Sequence, residues 1–211
     1  GLRVNTLFGE GETLEDIRNA GKASLNIVVS DVYGIEAARK FEDIHGIPYL
    51  VTGFPVGAEA TGEFLYTVGN ALGIDQSLVE AVVESEKQIY FDYLERLADI
   101  YNDLDLQRYA VVVGDSNYAP AITRFLSDEL GWLPELAVIT DFLDDVQKDV
   151  VSRRFENFES GLKPAVRFDT NTSSVKKYIA EIWPRNRNQR YYDALNPTVL
   201  VGSVYERDLA T

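Results

Sequence analysis

Apolar runs and amphipathic stretches alternate along almost the whole chain. Strands are predicted at LRVNTLF (2–8), SLNIVVS (24–30) and IPYLVTG (47–53), with stretches between them in which apolar residues recur at helical spacing. Thr13, followed three residues later by Asp16, has the spacing of a capping box at the start of a helix. This strand–helix rhythm predicts parallel pairing with right-handed crossovers.

A long stretch without glycine or proline interrupts the rhythm. It runs from Asp75 to about Asp103 and is dense in helix-forming residues, which predicts one long helix. The rhythm then resumes, with strands predicted at 108–115, 135–141, 165–170 and 197–203. Helices are predicted between these strands at 118–130, 144–158 and 173–182. The strands are continuous apolar runs, as expected where helices cover both faces of a sheet.

The predicted fold class is therefore α/β. We expect two Rossmann-like three-layer units with mainly parallel sheets, joined by the long helix. The first unit is predicted at 1–74, the connecting helix at 75–104 and the second unit at 105–211.

Charge and composition exclude several classes of protein. The formal net charge of −14 repels phosphate backbones and disfavours nucleic-acid binding. No apolar run approaches the roughly 18 residues of a membrane-spanning helix, and the start of the sequence is acidic, so we expect a cytoplasmic protein. Without cysteine, these residues supply no disulfide, thiolate nucleophile or thiolate ligand to iron–sulfur clusters, and one histidine leaves little for a multi-histidine metal site.

Two nucleotide-binding motifs are also excluded. FGEGETLED contains G-x-G after a predicted strand, but it lacks the third glycine of the dinucleotide fingerprint. Its loop places Glu10 and Glu12 where a pyrophosphate would lie, and like charges repel. No GxxxxGK[ST] loop is present in the sequence.

The best-formed candidate loop follows the predicted strand at 108–115. Gly114, Asp115, Ser116 and Asn117 lie where a buried strand ends and a helix begins. Free amides at a helix N-terminus can bind an anion or a partner, so this loop is a candidate ligand or partner site. The alternative is a capped turn that serves folding alone, which the negative charge of Asp115 favours.

A second candidate is the acidic pair in RLADIYND (96–103). Asp99 and Asp103 are four residues apart and share the polar face of the predicted long helix. Ca²⁺ or Mg²⁺ takes about six oxygen ligands, which two carboxylates do not provide. The pair is therefore either a solvated stripe or half of a metal site that another chain completes.

The order of several segments resembles a known family. These segments are ASLNIVVS, GIPYLVTGFPVGAEATGEFL, RLADIYND, RYAVVVGDSNYAPAITRFLSDELGWLPELAVIT and VLVGSVYERD. Together they resemble the β-type subunit of nitrogenase component 1, the molybdenum–iron protein and its vanadium and iron-only relatives. The resemblance runs along nearly the whole chain.

This resemblance implies a role in electron transfer. In that family the β-type subunit shares an iron–sulfur P-cluster with an α-type subunit, and an iron protein delivers electrons that pass through it to the active-site cofactor for dinitrogen reduction. The implied partners are the α-type subunit, a second β-type subunit in a heterotetramer, and the iron protein as a transient partner. Because the chain has no cysteine, the resemblance also implies a fragment without the N-terminal P-cluster domain, holding no cofactor and inactive alone.

The resemblance further suggests a role for the acidic pair. Some family members hold a metal between two β-type subunits, and a D-x-x-x-D pair supplies part of its shell. Asp99 and Asp103 match that pair and are the predicted interface ligands.

Two other interpretations remain open from the sequence. One is a nitrogenase-like paralogue that acts as a cofactor-assembly scaffold or as part of a tetrapyrrole reductase. The other is an unrelated α/β module that binds its ligand at the VGDSN (113–117) or GFPVG (53–57) edge.

Overall fold

The computed structural model describes residues 2–8, 11, 13–103, 108–183 and 199–209. Within these residues, the first sheet consists of two short parallel strands. Strand β1 (Asn26–Val28) pairs with strand β2 (Tyr49–Val51), and helix α2 (Ile35–His45) connects them. A helix between two parallel strands is the crossover that the sequence predicts.

The strand predicted at 2–8 is absent from this sheet, so that prediction is wrong. Within the described residues, this stretch pairs with no strand. It lies against helix α1 (Leu14–Asn19), where the Asn5 side chain donates to the Asn19 carbonyl at 2.9 Å and Thr6 Oγ1 donates to the Asp16 carbonyl at 3.1 Å. A strand forms only beside another strand whose free edge can pair with it, and a helix offers no such edge.

Two helices follow the first sheet and pack against each other. Helix α3 (Ala58–Ala71) is followed by helix α4 (Gln76–Asp103), which is 28 residues long and confirms the predicted long helix. Gly69 of α3 lies so close to Val79 of α4 that a Cβ at Gly69 would be 2.7 Å from the Val79 side chain. The boundary predicted at residue 104 falls on 104–107, outside the described residues.

The second sheet has, among the described residues, four parallel strands in the order β5-β4-β3-β6. These strands are β3 (Tyr109–Gly114), β4 (Leu133–Ile139), β5 (Ala165–Phe168) and β6 (Val199–Val201). Strand β3 pairs with both β4 and β6 and lies inside the sheet. All four correspond to predicted strands.

Both faces of this sheet are covered. Alternate residues of β3 enter two separate cores, with Ala110 and Val112 on one face and Val111 and Val113 on the other. Helix α5 (Tyr118–Arg124) and helix α6 (Asp145–Arg153) cover the first face. Helix α7 (Val175–Ile182) covers the second face. This is the three-layer arrangement expected from continuous apolar strands.

Two helices of this unit end earlier than the sequence predicts. Helix α5 passes at Phe125–Glu129 into a wider π-helical turn, in which the Leu130 amide donates to the Phe125 carbonyl. Helix α6 ends at Arg153 rather than continuing to residue 158, and Phe155 and Phe158 enter the core from the turn beyond it. Local helix propensity contains no information on these tertiary contacts.

The remaining regular structure of the described residues consists of three short 3₁₀ turns, at Ala20–Lys22, Thr172–Ser174 and Val204–Leu209. In the part of the chain that is described, no helix combines the length and apolar character needed to cross a membrane. The α/β class with parallel sheets is confirmed.

Candidate functional site

A cavity of about 440 Å³ lies where the carboxyl ends of the two sheets meet. The first unit contributes the segments after β1 and β2 and one side of α3. The second unit contributes the loop after β3, one side of α5 and residues 153–158. Ligands of open α/β sheets gather outside the carboxyl ends of the strands, and cavities of this volume are common ligand sites.

The predicted ligand loop borders this cavity, but its amides are occupied. Asp115 Oδ1 accepts hydrogen bonds from the amides of Asn117 and Tyr118, each at 2.8 Å. The Ser116 amide donates to Asp141 Oδ2 at 2.8 Å. These carboxylates take the place that an external anion would have at the start of α5. Ser116 and Asn117 nevertheless line the cavity, so the role of residues 114–117 in ligand binding stays a prediction.

Tyr33 lies near the same carboxylates. Burial, followed by the charge of Asp141 and a hydrogen bond to it, raises the pKa of the Tyr33 phenol above its usual value. The phenol donates a hydrogen bond to the Asp141 carboxylate at this edge of the sheets.

Two arginine–carboxylate pairs join the two units across the cavity. Arg154 Nε and Nη2 donate to the two carboxylate oxygens of Asp31, each at 2.5 Å. Arg124 Nη1 and Nη2 donate to the carboxylate of Glu63, each at 2.8 Å. Such bidentate pairs fix direction as well as distance. The hydrogen bond from Arg124 lowers the pKa of the Glu63 carboxyl, and the hydrogen bond to Asp31 raises the pKa of Arg154.

A third connection holds the start of helix α3. Glu129, in the π-helical turn, accepts the amides of Ala58 at 2.8 Å and Glu59 at 3.3 Å through its two carboxylate oxygens. A carboxylate at a helix N-terminus satisfies free amides and complements the helix dipole. The π-helical turn therefore positions an acidic residue that caps a helix of the other unit.

The sequence does not predict these inter-unit contacts. Asp31 and Arg154 are 123 residues apart, and Glu63 and Arg124 are 61 residues apart. No local motif predicts a pair at such separation. Only the position of Asp31 indicates a role at this edge, because Asp31 follows a predicted strand and polar groups commonly lie at the carboxyl ends of parallel strands.

The acidic pair of helix α4 lies away from this cavity. Asp103 is exposed at the last residue of α4, and the side chain of Asp99 lies outside the described structure. The described residues contain no group of three or more potential metal ligands. Asp99 and Asp103 as half of an interface metal site therefore stay a prediction. Glu10 and Glu12 of the excluded nucleotide loop lie outside the described residues.

Two parallel α/β units with a cavity at their carboxyl edges define a Rossmann-like protein. Within that class, the chain belongs to the nitrogenase component 1 type oxidoreductase family, whose family model matches residues 1–210. The resemblance to this family is thereby confirmed. The interpretation as a binding module unrelated to the family is set aside.

Several curated relatives share part of the sequence, and they are subunits of light-independent protochlorophyllide reductase. The one from Staurastrum punctulatum is 32% identical over 140 residues, covering 62% of this chain and 27% of that protein. The one from Nostoc punctiforme is 29% identical over 136 residues, covering 62% of this chain and 26% of that protein. The chain thus spans about a quarter of the length of these relatives.

A solved structure shares the fold. The structure described as "Nitrogenase Cp1 at pH 6.5" matches with a TM-score of 0.65 and 21% sequence identity, covering 97% of this chain and 40% of that one. At this identity the likeness shows the fold alone. It agrees with the parallel α/β architecture described above.

Proposed function

We propose that this chain is part of a β-type subunit of a nitrogenase-like oxidoreductase that works within a multi-subunit assembly. In that role it helps electrons from an iron-protein partner reach a cofactor held by an α-type subunit. The observation that carries the proposal is the family match along residues 1–210. The implied setting is a cytoplasmic heterotetramer with two β-type subunits.

The residues of this chain do not fit an iron–sulfur cluster bound by thiolates, because the sequence contains no cysteine. Cluster ligands of that kind would have to come from elsewhere in the assembly. The proposed contribution of this chain is a rigid α/β scaffold, with two units joined by the Asp31–Arg154 and Glu63–Arg124 pairs. We expect the chain alone to be inactive in reduction.

Two substrates fit this proposal. Dinitrogen is the first, supported by the order of motifs along the chain and by the D-x-x-x-D pair at Asp99 and Asp103. The second is a tetrapyrrole double bond, supported by relatives that are named as subunits of protochlorophyllide reductase. Both substrates require a reductase partner and an α-type subunit.

An assay of the whole assembly tests the function. The assembly, co-purified through this subunit in the absence of oxygen, is mixed with its reductase, an electron donor and ATP. Formation of labelled ammonia from ¹⁵N₂ would support dinitrogen, and loss of protochlorophyllide absorbance would support the tetrapyrrole. If the assembly contains its clusters and accepts electrons but forms neither product, that result would contradict both candidates.

The interface metal site is a separate proposal. Replacing Asp103 with alanine removes one of the two proposed carboxylate ligands, and we expect metal affinity at the subunit interface to fall by more than about tenfold. Metal content of the intact assembly, measured by mass spectrometry after dialysis, gives the readout. Glu84→Ala is the matched control, because Glu84 is an exposed carboxylate of the same helix and lies several turns before Asp99. Equal metal content in both variants and in the unaltered assembly would contradict the assignment.

A further inference from the structure

Four serine and threonine residues of the described chain line the cavity between the two sheets, and three of them lie at strand ends. Ser30 follows β1, Thr52 follows β2 and Ser116 follows β3, and all three line the cavity. Their exposed fractions are only 7%, 8% and 7%. Three strand ends thus each bring one buried hydroxyl to the same place.

None of the three hydroxyls has an acceptor within the described part of the chain. Thr52 Oγ1 and Ser116 Oγ are buried and make no hydrogen bond there. Ser30 Oγ accepts two amides, from Val32 at 3.1 Å and Tyr33 at 2.9 Å, so its own O–H must be donated elsewhere. A buried polar group without a partner is costly and calls for a ligand or an ordered water.

The side chains that line the cavity favour a negative ligand, whereas Asp115 and Asp141 beside it already accept the amides of 116–118. Among the described residues, three arginines and two acidic residues line the cavity, in a chain that is strongly acidic overall. The carboxylates of Glu63 and Asp31 bind Arg124 and Arg154. Arg153 also lines the cavity, is exposed, and makes no ion pair with the described residues. Its guanidinium is therefore available to a ligand.

We propose that this cavity binds a small organic oxyanion, a carboxylate or a phosphate ester. Hydroxyl donors without acceptors and an unpaired guanidinium together suit a ligand rich in acceptor oxygens. Phe54, Phe64 and Phe158 also line the cavity and provide apolar surface for the carbon body of such a ligand. The oxygens of Thr52 and Ser116 are closed off from solvent, so the proposal requires both side chains to rotate about their Cα–Cβ bonds to reach the ligand.

This site does not depend on the electron-transfer role. The lining residues named above all belong to this chain, so the site is tested by binding to this chain rather than by activity of the assembly. The probes are inorganic phosphate, ribose 5-phosphate and succinate at millimolar concentration, with isothermal titration calorimetry as the readout. Binding of phosphate and its ester without succinate would identify phosphate as the preferred group, and the reverse result would identify carboxylate.

Two variants test the assigned contacts. Arg153→Gln removes the free guanidinium, and we expect affinity for the bound probe to fall roughly tenfold or more. Thr52→Val removes a hydroxyl at nearly constant volume, and we expect weaker probe binding with no loss of folding stability, because that hydroxyl has no partner in the free protein. A hydroxyl with a merely structural role would instead lower stability.

Lys148→Gln is the matched control for Arg153→Gln. Lys148 is a cation on the same helix, lies outside the cavity and pairs with Asp145. It should leave probe affinity unchanged. The proposal is overturned if no probe binds the full chain, which is the result expected of a cavity that holds only water. It is also overturned if the Arg153 and Lys148 variants lose affinity for the probe equally.

Discussion

Replacing Gly57 with alanine is expected to lower the free energy of unfolding by about 2–4 kcal/mol, from backbone strain together with loss of a helix cap. Gly57 has a φ of 88° and a ψ of 175°, a backbone conformation essentially restricted to glycine. An added Cβ would lie 2.0 Å from Glu129 Oε1 and 2.6 Å from Phe125 Cδ2. Neither distance is compatible with a real side chain.

The clash with Glu129 cannot be relieved without a further loss. A long carboxylate side chain usually moves aside easily, but this one holds the amides of Ala58 and Glu59 at the start of α3. Moving it away leaves those amides without their acceptor and removes a contact between the two units. The variant therefore combines strain with the loss of the cap, and α3 also borders the cavity.

Gly46→Ala is the matched control for this prediction. Gly46 also has a positive φ, 68°, but no atom lies within 4 Å of where its Cβ would stand. Only the backbone cost remains, and we expect a loss of about 1 kcal/mol. Urea denaturation of both variants measures the difference, and equal midpoints for Gly57→Ala and Gly46→Ala would contradict the steric argument.

Local signals along the chain predicted local structure well. The Thr13 hydroxyl accepts the Asp16 amide at 3.3 Å, and the Asp16 carboxylate accepts the Thr13 amide at 2.9 Å, as the capping-box spacing predicts. The helix over 76–103 follows from a stretch without breakers, and the four strands of the second sheet follow from apolar runs. These features depend on interactions within a few residues or on burial of a continuous apolar run.

Features that need a distant partner were not predictable in the same way. The apolar residues Leu2, Val4, Leu7 and Phe8 favour a strand at 2–8, but pairing depends on a free edge elsewhere in the molecule. The π-helical turn at Phe125–Glu129 likewise depends on distant groups, because Asp128 and Glu129 accept amides from two other segments. Hydrophobic periodicity along the chain does not predict such contacts between distant segments.

The candidate site was predicted in its location but not in its composition. The VGDSN and GFPVG edges, chosen because they follow strands, both border the cavity. The arginines of 153–154 come from the end of a helix, and their approach to Asp31 follows from the packing of the two units. The hydroxyls without hydrogen-bond partners were likewise not predictable from the sequence, because the folded structure determines which hydroxyls have a partner.

Replacing Leu136 with alanine is expected to lower the free energy of unfolding by about 2–5 kcal/mol. Leu136 is fully buried in β4, between Val111 of β3 and Ala165 of β5. Its core cluster includes Val175 and Trp183, which belong to α7 and the residue that follows it. These neighbours lie on rigid elements and close only partly around a missing side chain, so a cavity adds to the lost burial.

Leu133→Ala isolates the contribution of burial in the same strand. Leu133 begins β4 and is 39% exposed, so its truncation removes less contact and creates no closed cavity. We expect a loss of about 1 kcal/mol or less. Urea midpoints at an unchanged slope give the comparison. Similar urea midpoints for the two alanine variants would mean that the second sheet is not the dense core of this chain. A clearly lower midpoint for Leu136→Ala supports a rigid sheet beneath the strand ends that border the cavity.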